Sequence, residues 1–126
     1  LITDTLSPPS WLPAATQGTI GIQCRTGDIA VIERVEPLKN PDAVLRTRAE
    51  RTVATALQGS CQVPLAVYAE LNDGDMSISA LVGMPDGSRV LRSDRSGPAT
   101  EVDALSSAVA DELLRQGADK IIASLR

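Results

Sequence analysis

The chain has 126 residues, 43% of them hydrophobic and 22% charged, which is the length and balance of one globular domain with room for a core. Its formal charge of −4 and its two aromatic residues, Trp11 and Tyr68, argue against phosphate neutralisation and base stacking, so nucleic acid is not an expected partner. No apolar run approaches the length of a membrane span and no basic-then-apolar leader opens the chain, so the expectation is a cytoplasmic protein with no membrane partner.

Residues 1–10 carry no helix or strand pattern and end in the breaker cluster Ser7-Pro8-Pro9-Ser10. With Leu and not Met at position 1, this reads as a chain that begins partway through something larger. Leu12-Pro13-Ala14-Ala15 continues the loop. Ile20, Ile22 and Cys24 then alternate with Thr19, Gly21 and Gln23, which predicts a strand with Cys24 facing a core. Thr26-Gly27-Asp28 predicts a turn that caps a helix over 29–38.

Asn40-Pro41-Asp42 is a strong helix start. Asn40 can cap, Pro41 suits the first helical position, and Asp42 suits the positive end of the dipole. The spacing of Leu45, Ala49, Val53, Ala56 and Leu57 predicts one apolar stripe on a helix over 41–58, and Gly59 is placed to end it. Three strands follow. The first covers 63–71, the Asn72-Asp73-Gly74-Asp75 turn leads to alternation at Met76, Ile78, Ala80 and Val82, and Pro85-Asp86-Gly87-Ser88 leads to a third strand over 89–95. Gly97-Pro98 is expected to break the sheet. A helix over 102–116 and a short one over 118–125 complete the pattern. The fold class is α+β: a three-stranded antiparallel meander whose apolar face is covered by helices, from about Pro37 to Arg126.

Chemistry is constrained by what is missing. Without histidine, Ser-His and Cys-His pairs and His-containing metal sites are excluded within these residues, and two cysteines alone cannot close a structural zinc site. A Cys24–Cys61 disulfide is possible on paper, but free thiols in a reducing compartment are the simpler expectation. Cys61 is the best candidate for a functional side chain, because Gln58-Gly59-Ser60-Cys61-Gln62-Val63-Pro64 joins a helix to a strand. A lone cysteine is more often a small buried hydrophobe than a nucleophile. Beyond a helix C-terminus the dipole disfavours thiolate, so a functional Cys61 suits a permanent attachment point better than a turnover nucleophile. Arg46 can pair with Asp42 and Glu50 at helical spacing. Arg48 and Arg51 either form a solvated face or meet a carboxylate-rich ligand or a neighbouring domain. Gln17-Gly18 is either a simple turn or a source of amide and backbone N–H donors.

Three motifs carry a family resemblance. Leu12-Pro13-Ala14-Ala15-Thr16-Gln17-Gly18-Thr19-Ile20-Gly21-Ile22-Gln23-Cys24-Arg25 resembles the segment of the hydroxymethylbilane synthase (porphobilinogen deaminase) family that usually reads LPAxGQGxxGIExR. Ala49-Glu50-Arg51, then Leu57-Gln58-Gly59-Ser60-Cys61-Gln62-Val63-Pro64-Leu65 and Tyr68-Ala69-Glu70-Leu71, are similar to that family's AERxxxxxLxGGCxVPxxxYAEL. Leu81-Val82-Gly83-Met84-Pro85-Asp86-Gly87-Ser88 resembles its LVGxPDG turn. The resemblance runs from about residue 6 to the end.

The resemblance implies the C-terminal part of a three-domain transferase of tetrapyrrole and heme biosynthesis. Residues 1–18 would be the tail of the second domain, 19–36 a strand and helix returning to an absent α/β domain, and 37–126 the cofactor-carrying domain. Cys61 would hold a dipyrromethane cofactor through a thioether, with Gln17 and Gly18 near the cofactor cleft. Porphobilinogen units would add to that cofactor with loss of ammonia, and hydrolysis would release hydroxymethylbilane. The partners implied are porphobilinogen, the growing polypyrrole and the N-terminal portion of the same enzyme. The family's catalytic aspartate lies in that portion, so no catalytic residue and no metal ligand is expected here, and the chain alone is expected to be inactive. Two positions depart from the pattern: Thr16 stands where the family usually has Gly, and Ser60 replaces the second Gly before the cysteine. The rival readings are a non-catalytic α+β interaction module with a structural Cys61 and a cysteine-dependent redox protein. The second lacks a Cys-x-x-Cys pair.

Overall fold

A computed structural model describes residues 1–57 and 63–125. The first helix, α1 (Ile29–Val35), begins where Asp28 Oδ1 accepts from Val31 N at 3.3 Å. A short 3-10 turn, Glu36–Leu38, leads to α2 (Pro41–Ala56). Asn40 Oδ1 caps α2 by accepting from Ala43 N at 2.9 Å, and Pro41 fills the first turn, where a missing N–H costs nothing. Leu57 is the last described residue of this part and is buried, at 2% exposed. The proposed stop at Gly59 lies outside the described residues.

The meander follows as β1 (Leu65–Asn72), β2 (Asp75–Gly83) and β3 (Val90–Pro98), antiparallel in the order β1-β2-β3. Asp73 and Gly74, with φ of 50° and 86°, form the two-residue turn that sets the β1–β2 register of Asn72 opposite Asp75. Positive φ at both positions matches the twist of the flanking strands, and Asp-Gly tolerates it well. Two helices complete the chain: α3 (Val102–Arg115) and α4 (Ala118–Ser124), separated by Gly117 at φ 97°.

One face of the sheet is dry. Val67 and Ala69 of β1, Met76, Ile78, Ala80 and Val82 of β2, and Leu91 of β3 pack against Ala49, Val53 and Leu57, against Val109 and Leu113 of α3, and against Ile121 and Ile122 of α4. Burial of this aliphatic surface is the driving force for a two-layer α+β domain. The fold class expected from patterning is the one observed.

Four local expectations are corrected. Cys24 is exposed and not in a core. Residues 19–25 form no strand pairing among the described residues, and Ile20 and Ile22 are 89% and 55% exposed. The cause is common to both: alternation creates a strand only where a partner edge and an opposing layer exist. Gly97-Pro98 does not break the sheet. β3 runs through Pro98, which pairs with Asp75. Proline is tolerated there because β3 is an edge strand. Ala56, placed on the apolar stripe of α2, is exposed, while Ala54 is buried.

Candidate functional site

An open cleft of about 900 Å³ lies beside α2. Its walls come from the turn around Gln17 and Gly18, the extended Ile20–Ile22 stretch, the N-terminal half of α2, and Tyr68 of β1. Gln17 and Gly18, proposed from sequence as ligand-facing, both line it.

The turn that carries them is built from backbone bonds. Gln17 N donates to Ala14 O and Thr19 N to Thr16 O, each at 3.1 Å. Thr16 sits at φ 60° and Gly18 at φ 80°. Glycine adopts this region freely, whereas a β-branched threonine does so only under strain. Gln17 Oε1 accepts from Ala14 N at 3.1 Å, so its NH2 is the part able to donate to a ligand oxygen.

Glu50 is the residue that sequence reading undervalued. It is only 7% exposed, and its two oxygens serve different elements. Oε2 accepts from Thr16 N at 2.5 Å and Oε1 from Ala69 N at 2.9 Å. Burial pushes its carboxyl above the ordinary glutamate value, while the two backbone N–H groups and the charge of Arg46 pull the other way. A usable signal existed: Glu50 lies between Ala49 and Val53 on the inward side of α2, where an unsatisfied carboxylate would not persist.

Arg46, Arg48 and Arg51 all line the cleft. Arg48 is tied to Asp103 of α3 through a forked contact, with Nε donating to Oδ1 at 2.9 Å and a second bond from Nη2 to Oδ2. Both side chains of this pair are more than half exposed. A shallower groove of about 480 Å³, lined by Arg48, Arg51, Thr52, Thr55 and Ala56, follows α2 to its last residue. Arg48 and Arg51 thus stand between the two depressions.

Cys61, the foremost sequence candidate, lies outside the described residues. The residues on either side of its segment are held by the core: Leu57 belongs to it and Val63 packs against it. Among the described residues, no group of three or more His, Cys, Asp or Glu could hold a metal, and no helix is long and apolar enough to cross a membrane.

The cleft therefore offers guanidinium and amide donors on a helix-and-sheet frame. The family model for the porphobilinogen deaminase C-terminal domain matches residues 44–115, a stretch containing the three arginines, Glu50, Cys61 and the whole sheet, and the chain belongs to that family.

Proposed function

We propose that this chain is the cofactor-carrying part of a hydroxymethylbilane synthase, with Cys61 as the thioether attachment point for dipyrromethane. The match across residues 44–115, which includes Cys61, is the observation that carries this reading. When bound, the dipyrromethane supplies the pyrrole end to which porphobilinogen units add with loss of ammonia.

The donor set around the cleft fits such a group. Each pyrrole carries two carboxylates, and Arg46, Arg51 and the Gln17 amide are donors suited to them. Arg48 already shares its guanidinium with Asp103, so its part is to brace α2 against α3. Glu50 keeps its carboxylate turned to backbone N–H groups, which limits its repulsion of an anionic ligand. The chain's residues on this reading bind and orient; none of them is assigned a proton transfer.

Residues 1–18 then serve as the end of a second domain, 19–36 as a segment that docks on a first domain, where 19–25 would gain the strand partner they lack among the described residues, and 37–126 as the carrier. The exposed Ile20, Ile22 and Ile29 support such docking. The 126 residues alone are expected not to turn over porphobilinogen.

The test is a denatured intact mass of the chain purified from cells that also make the rest of the enzyme. The expected mass exceeds the sequence value by one dipyrromethane, and Cys61→Ser abolishes the excess without loss of fold. An unmodified mass would overturn the tether. A Cys61→Ser chain that unfolds would favour the structural-cysteine reading.

A further inference from the structure

Glu50 reaches two backbone donors that are far apart in sequence. From α2 it binds Ala69 N, which lies 19 residues on in β1, and Thr16 N, which lies 34 residues back in the N-terminal turn. We propose that Glu50 is a positioning residue: it clasps the Thr16–Gly18 turn to the sheet and thereby presents Gln17 and Gly18 to the cleft. The functional consequence rests on the reading of those two residues as ligand-facing; the clasp itself does not.

Three observations meet here. The carboxylate is nearly buried, so it persists only because both oxygens are bonded. Thr16, the residue it holds, is in a left-handed conformation that costs a β-branched side chain free energy. Strained conformers survive where surrounding contacts over-determine them, and the bond from Thr16 N supplies such a contact. The preceding residues are tied to the same strand edge, because Val67 N donates to Pro13 O at 3.2 Å. Pro13 and Thr16 are thus both fastened, and Gln17 and Gly18 are the next residues along. Their geometry is set by a side chain on α2 instead of by their own turn alone.

The burial of Glu50 also permits a plainer role, in which the carboxylate only adds to global stability. Amide hydrogen exchange separates the two. The 126-residue chain would be labelled with 15N and followed by NMR as wild type, Glu50→Gln and Glu50→Asp. Glutamine keeps the size but offers a single acceptor oxygen. Aspartate keeps the charge but is one methylene too short to serve both donors.

The expected result is that Thr16, Gln17 and Thr19 exchange about tenfold faster or more in both variants, as loss of a charged hydrogen bond implies. Ile78 and Val109, in the core, should keep their wild-type protection. Equal acceleration at Ile78 and Val109 would reduce Glu50 to a stability element and overturn the clasp. Unchanged exchange across Thr16–Thr19 in both variants would overturn it as well. Failure of the tether reading shows separately, as an unmodified intact mass, and leaves the exchange result untouched.

Discussion

Thr16 and Glu50 show how one residue constrains another across the chain. Glu50 also has a consequence for pH. Its carboxyl titrates above the ordinary glutamate value in the folded chain, with burial as the leading cause. Between the unfolded and folded values, the folded chain therefore holds a proton that the unfolded chain has released. The stability linked to this group is fully present below the unfolded value and is lost as pH rises through the folded one. Glu50→Gln cannot titrate and should lack that slope. Urea unfolding of both proteins from about pH 4 to about pH 7 measures it, and a difference between them that does not change with pH would contradict the shift. From sequence, Glu50 read only as an ion partner for Arg46. A helix pattern shows which face is inward but not which backbone donors wait there. Cys24 failed in the opposite sense: its alternation suggested a core position, although the resemblance already put the partners of its strand in an absent domain, and the side chain is exposed.

Elements were more legible than residues. The Asn40-Pro41-Asp42 start, the Asp73-Gly74 turn and the stripe on α3 carry local chemistry that decides structure before any tertiary contact forms. The end of β3 was misread because Gly97-Pro98 looks like a breaker, whereas an edge strand accepts both residues. Gly97 has a packing reason to be there. A Cβ at that position would lie 3.2 Å from Leu105 Cδ2, so the absence of a side chain lets α3 close on β3. Gly97→Val should therefore destabilise the domain by roughly 1–3 kcal/mol through overpacking. Denaturant unfolding reads this directly, and a variant as stable as wild type would mean that α3 can shift at no cost. The Arg48–Asp103 fork, which joins α2 to α3, was beyond sequence reading because it spans 55 residues.

At the scale of the whole molecule, the meander and its covering helices follow from patterning, while the placement of residues 1–25 does not, since its ties run to side chains and strand edges elsewhere. Those ties do more than hold a turn. Three outward N–H groups of β1 are occupied in succession: Leu65 N by Val63 O, Val67 N by Pro13 O and Ala69 N by a carboxylate oxygen. None of these acceptors belongs to a strand. At the other side of the sheet, β3 ends in proline and carries Arg92, Asp94 and Arg95. Both margins of the sheet are thus spoiled as templates for a second chain, one by capping and one by charge and proline. Removing residues 1–18 would strip Pro13 and Thr16 from this margin, together with the buried Leu12 and with Ala15, which packs against the core, while leaving the sheet and its covering helices intact. The shortened chain should then self-associate with rising concentration in light scattering where the full chain does not; identical scattering would show that Glu50 and the strand charges guard the edge on their own.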